Sequence, residues 1–154
     1  MSIITIPKSA SVGLFSARQT TSQSVAASSL TTCIFDGEII DSRNQYNNTT
    51  GVFTCSTPGY WQFNTALRII STTVMTNVFM QVTHNSTGYR TQQVVDASST
   101  CTAVGLTGSL ILFLANSDTV QVQGFVVTSG TPSFNFAGSG VFSSIFSGYL
   151  IAAV

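Results

Sequence analysis

With 154 residues, the chain is long enough for one domain with a substantial core. Only 6% of its residues are charged, five basic and five acidic, so a formal net charge of zero argues against nucleic acid as a partner. At 44% hydrophobic it is still a folding chain, and so little charge repulsion between copies favours self-association.

The first eleven residues are read as an N-terminal arm and 12–154 as a single domain. The opening "MSIITIPKSA" has no basic region, and Pro7 and Lys8 cut short its isoleucines, so it is not read as a signal peptide. "VGLFSARQT" (12–20) reads as a first strand, and "TSQSVAASSLTT" as a polar loop excursion. "CIFDGEII" (33–40) reads as a second strand region, followed by the turn-rich 41–51. "VFTCS" and, after Pro58-Gly59, "YWQFNTALRII" come next. In the latter, Trp61, Phe63 and Leu67 share one parity and Gln62, Asn64 and Ala66 the other, which assigns the first set to a core. Phe53 and Cys55 likewise share a face. In "VMTNVFMQVTH" (74–84), Val78, Met80 and Val82 point inward and Phe79 the other way.

"GSLILFLANSDTVQVQGFVVT" (108–128) reads as a hairpin turned at Asn116-Ser117-Asp118. Its second strand alternates cleanly, Val120 and Val122 against Gln121 and Gln123. Its first, 110–114, is apolar on both faces, and a sheet face that should meet water then needs a cover. A subunit interface is the expected cover. "IFSGYLIAAV" (145–154) is the last strand. Helix-period stretches are absent, so eight to ten short strands predict an all-β antiparallel sandwich or barrel. The longest apolar run, 110–115, is far below the roughly 20 residues of a spanning helix, so no membrane insertion is expected.

Chemistry is sparsely represented. No GxSxG and no Cys/His pair at a telling spacing occurs, so no enzyme is expected. Asp36 and Glu38 share a strand parity and are read as solvated residues at a strand end, not as an acid–base pair. Three cysteines, Cys33, Cys55 and Cys101, without a CxxC and with a single His, read as buried thiols and not as a zinc site. Asp96 and Asp118 sit in loops but lack a second nearby carboxylate, so no metal and no cofactor is expected. Sequons at Asn47, Asn48 and Asn85 match the glycosylation pattern but follow from the abundance of Asn, Ser and Thr.

One stretch carries a resemblance. "YNNTTGVFTCSTPGYWQF" (46–63) resembles the signature of the complement C1q globular-head family, the tumour-necrosis-factor-like jelly rolls. The matching positions are Tyr46, Thr50, Gly51, Phe53, Cys55, Pro58, Gly59 and Phe63, with Trp61 where the family prefers Tyr or Phe. "LFSAR" (14–18), "LANSDTVQVQ" (114–123, with Ser117 in place of a Gly) and "SIFSGYLI" (144–151) are similar to three further family blocks, in family order. The resemblance implies a ten-stranded jelly-roll sandwich, a homotrimer and a role in recognition without catalysis. The chain shows no collagen-like Gly-X-Y stalk and no signal peptide, and so resembles the stand-alone jelly rolls of microbes and of virus or bacteriophage particles.

The expected trimer interface is Leu110, Leu112 and Leu114, or the alternate pair Ile111 and Phe113, with Phe79 and Tyr149 nearby. The expected ligand surface is the polar loops 19–29, 41–50, 85–92 and 128–133, with Tyr46, His84, Tyr89 and Arg90 as contact residues. A virion protein binding a host-surface glycan or protein is the first functional expectation, with the arm contacting other particle proteins. A secreted lectin or cytokine-like module is the alternative.

Overall fold

The computed structural model describes residues 13–95, 101–134 and 144–154; the arm expected over 1–11, and Asp96, lie outside them. Among the described residues thirteen strands follow in chain order. They are β1 (Leu14–Arg18), β2 (Gln23–Ser24), β3 (Thr31–Thr32), β4 (Gly37–Asp41), β5 (Tyr46–Asn47), β6 (Val52–Thr54) and β7 (Gly59–Ser71). Then come β8 (Met75–His84), β9 (Thr87–Val95), β10 (Ala103–Leu114), β11 (Thr119–Thr128), β12 (Pro132–Phe134) and β13 (Ile145–Ala153). All pairings are antiparallel and form two facing sheets. Sheet A runs β2-β12-β7-β13-β1-β4, with β10 on the free side of β7; sheet B runs β5-β6-β11-β8-β9, with β3 also on β11. This is a jelly-roll sandwich in which five of the strands have only two or three residues, beside the eight to ten strands expected.

The core lies between the sheets and follows period-2 alternation. Along β7, Trp61, Phe63, Leu67 and Ile69 are buried, while the residues between them turn outward. Phe15 stacks on Phe53 at 4.8 Å and meets Phe146 edge-on at 4.9 Å, and Phe53 meets Trp61 edge-on at 5.0 Å. The Trp61 indole N–H donates to the carbonyl of Thr57 at 3.0 Å, so its one polar atom is satisfied. The Pro58-Gly59 corner and the turn before β6 need their glycines. Gly51 has φ 75° and Gly59 φ 151°, and a Cβ would strike the carbonyl oxygens of Cys33 and Ala152 respectively.

Three strand expectations change. First, 108–128 is not a hairpin. β10 pairs with β7 in sheet A and β11 with β8, β6 and β3 in sheet B, so residues 115–118 carry the chain from one sheet to the other. Leu112 and Leu114 on one side and Val120 and Val122 on the other then face the same core from opposite layers. Second, 85–92 is not mainly loop: β9 begins at Thr87 and pairs with β8. From Thr87 to Gln93 polar residues fall on both faces, so no alternation marks that stretch. The Gln92 side-chain carbonyl accepts the Thr107 N–H at 2.6 Å, linking β9 to the open edge of β10. Third, the strand in 33–40 starts only at Gly37. Cys33 and Phe35 are buried without a ladder, because their N–H groups donate to the Val122 carbonyl (2.8 Å) and the Tyr46 hydroxyl (3.2 Å).

Candidate functional site

Two outer faces and one strand-end cluster hold the groups that can act outside the core. The outer face of sheet A is apolar at the end where β7 begins. Tyr60 and Phe113 lie opposite one another on β7 and β10, edge to face at 5.5 Å, and each is 48% exposed. Beside them Ile111 is 58% exposed, and Tyr149 on β13 donates its hydroxyl to Gln62 Oε1 at 2.7 Å. Among the described residues nothing covers this face. Further along it, Ala66, Arg68 and residues 103–107 line a shallow concavity of about 440 Å³.

The strand parity of β10 divides the two expected sets between core and surface. Leu112 and Leu114 belong to the core and Leu110 packs against it, so these three leucines face inward. Ile111 and Phe113 are the outward pair. Phe79 lies on β8 in sheet B, whose outer face points away from sheet A. Tyr149 does lie on the exposed face of sheet A.

On the outer face of sheet B, Phe79 stacks on Phe125 at 4.8 Å, and the Arg90 guanidinium sits 3.8 Å above the Phe79 ring. Arg90 Nη1 also donates to Gln93 Oε1 at 3.0 Å. Next to this stack runs an amide and hydroxyl ladder. Gln81 Nε2 donates to Gln123 Oε1 at 3.0 Å, and the Thr83 hydroxyl donates to the same oxygen at 2.6 Å. The result is a flat, uncharged polar strip flanked by one aromatic-backed cation.

The four expected ligand contacts do not form one site. Tyr46 is 5% exposed, with its hydroxyl accepting from Phe35 and its pKa raised by burial, so it is a core residue. Its sequence neighbours are turn residues, and the hydrogen bond that lets a polar-tipped ring go inside is long-range. Tyr89 is 41% exposed, but it follows the parity of Val82, whereas Arg90 follows that of Gln81, so the two lie on opposite faces of β9. His84 is half-buried in the cluster that follows. Phe125 was missed; its signal was the same alternation that set Val120 and Val122 against Gln121 and Gln123.

That cluster ties the β8–β9 turn to the sheet-crossing turn. His84 Nε2 lies 3.0 Å from Asp118 Oδ2, which also accepts the Ala115 N–H at 2.9 Å. Asn85 Nδ2 donates to Asp118 Oδ1 at 3.0 Å, and Asn85 Oδ1 accepts the Thr119 N–H at 2.9 Å. Asn85 and Ser117 hold φ of 52° and 71°; the bonds above fix Asn85, and the Ser117 N–H donates to the Cys55 carbonyl at 2.8 Å. The Asn85 amide foremost, then the Ala115 N–H and His84, hold the Asp118 carboxyl down to about 2. A carboxyl depressed in the folded state gives stability that is present above its ordinary range near about 4 and lost as pH falls towards about 2. Thermal melts at neutral pH and at about pH 3 are expected to differ less for Asp118→Asn than for the wild type.

Among the described residues the remaining carboxylates do not assemble a reactive centre. Asp36 accepts from the Thr20 N–H (2.5 Å) and from the Thr20 and Thr21 hydroxyls (2.6 and 2.8 Å). Burial pushes its pKa up, but these hydrogen bonds together bring it below the ordinary value. No group of three or more His, Cys, Asp or Glu able to hold a metal ion occurs among the described residues.

A family model for the C1q domain matches residues 14–151. The chain belongs to the C1q domain family. Its C1q domain superimposes on the globular domain of zebrafish complement 1qA protein with a TM-score of 0.63 at 18% identity, covering 92% of this chain and 99% of that one. Murine APRIL at pH 8.0 gives 0.62 at 10% identity, covering 91% and 99%, and the Eiger TNF of S. frugiperda gives 0.62 at 10%, covering 93% and 94%. These structures share the fold of this C1q domain. No curated protein sequence matches the chain significantly. C1q and TNF-like domains are typically trimeric, ligand-binding, non-enzymatic and extracellular.

Proposed function

We propose that the chain is a non-enzymatic homotrimeric recognition module carried on a virus or bacteriophage particle, where it binds a host-surface glycan or protein. The carrying observation is the exposed aromatic and aliphatic face of sheet A, in a chain whose family is trimeric. Packing three such faces about an axis covers an apolar surface that water does not suit. Sheet B then faces outward, with Arg90 over Phe79, the amide ladder beside it, and His84 and Tyr89 at its rim. Flat rings, a guanidinium and uncharged amides suit sugar hydroxyls and peptide groups, and three copies multiply a weak single-site affinity. Residues 1–11 are the proposed link to other particle proteins.

The test is binding of the purified protein to host cells and to a glycan array, beside Arg90→Ala and Tyr89→Ala. The native protein is expected to bind, with Arg90→Ala weaker by roughly tenfold or more. If it binds nothing while particles lacking it fall apart, it is a structural decoration protein. The extracellular setting of the family favours a second reading, a secreted lectin or cytokine-like module. Mass spectrometry of intact particles separates the two, since a secreted module would be absent from them.

A further inference from the structure

The outer face of sheet A is not uniformly apolar. Pairing registers place Ile111, Gln62, Tyr149 and Leu14 side by side across four strands. One step along, the same registers align Ser109, Asn64, Ser147 and Ser16. A further step gives Thr107, Ala66, Ile145 and Arg18. Across these four strands the middle row is thus polar and uncharged, with Ile40 of β4 beside Ser16 at its outer end, in a face whose neighbouring row carries Ile111, Tyr149 and Leu14.

The row is pre-organised within the subunit. Ser109 Oγ donates to Asn64 Oδ1 at 2.9 Å, and Gln62 Nε2 donates to both Asn64 Oδ1 (3.4 Å) and Ser109 Oγ (3.3 Å). Gln62 is held in turn by the Tyr149 hydroxyl. Asn64 uses only its Oδ1 in these bonds, so its amide nitrogen takes part in none of them. Asn64 Oδ1 already accepts two donors, so the serine hydroxyls as acceptors and the Asn64 amide as donor, at the same height, make the row complementary to itself.

We propose that this row sets the register of the homotrimer: Asn64 of each copy meets the polar row of the next copy at one height along the axis. The inference rests on the trimeric reading above, and its occupant is a second and third copy of this chain. An apolar face alone allows copies to slide. A slip of two residues, about 7 Å, would press the polar row of one copy against Ile111, Tyr149 and Leu14 of the next. Buried amides and hydroxyls would then lose their partners, which disfavours the slipped state more than the correct register is favoured. A single buried Asn specifies register in paired helices by the same logic.

Two variants test it by light scattering. Asn64→Asp keeps the Oδ1 acceptor that Ser109 and Gln62 use, so the subunit's own bonds survive. It sets three carboxylates at one height, so the trimer is expected to dissociate at about pH 8 and to re-form at about pH 4 as the acids protonate. An Asn64→Asp protein with wild-type mass at both pH values overturns the placement of the row. Asn64→Val with Ser109→Val is expected to replace the single trimer mass by a spread of larger species. A uniform trimer from that double variant overturns the register role. A monomeric wild type would instead sink the trimeric reading itself, so the failures are distinguishable.

Discussion

Phe63→Ala is expected to destabilise the subunit by about 3–5 kcal/mol. Phe63 is fully buried and touches rings from both sheets, with centroids at 5.5 Å to Phe53, 5.8 Å to Phe146 and 6.2 Å to Phe15. Its cross-strand partner is Gly148, where a Cβ would lie 2.9 Å from the Phe63 ring. The site therefore cannot collapse around the missing ring by a small shift of β13, because the glycine has no side chain to move in. Both the lost transfer energy and the remaining cavity count against the variant. Total stabilities of about 5–15 kcal/mol make that a large share. Urea melts of variant and wild type at one protein concentration measure it, since assembly would make stability concentration-dependent. An unchanged midpoint would mean that the ring is not where the alternation of β7 places it.

That alternation is also why β7 was legible from sequence. Trp61, Phe63 and Leu67 alternate with Gln62, Asn64 and Ala66, and one buried face is the only way to satisfy both sets. Pro58-Gly59 and Gly51 were legible because only glycine suits those backbone positions. β10 was not, because a run apolar at both parities fits either face. Its direction was set by β7, where Leu112 faces Trp61 across the ladder and Phe113 faces Tyr60. β9 was invisible because an edge strand whose faces both carry polar groups has no period to read. Its Arg90 and Gln92 side chains are ordered by neighbours on other strands, Phe79 of β8 and Thr107 of β10. For the same reason Tyr46 looked like a surface residue and Arg90 like half of a pair with Tyr89. Period-2 logic places Tyr89 and Arg90 on opposite faces once β9 is known to be a strand.

Phe113→Asp is expected to leave the subunit folded and to abolish its assembly. Phe113 is half exposed, and its contact within the subunit is the edge of Tyr60, so replacing it opens no core cavity. In the proposed trimer the same position is covered, and an aspartate there would be a charge removed from water with no cation to meet it. The charged groups of the face, Arg18 and Arg68, lie rows away along the strands. An uncompensated buried charge costs about 3–5 kcal/mol, and a three-fold axis would bring three of them together. Val95→Asp is the control, because Val95 is 68% exposed at the end of β9 in the other sheet. Light scattering at micromolar concentration is expected to give a monomer mass for Phe113→Asp and a trimer mass for Val95→Asp. Thermal melts should show a cooperative transition for both. A Phe113→Asp trimer would place the assembly on another face, whereas loss of assembly in both variants would trace it to added charge and not to this surface.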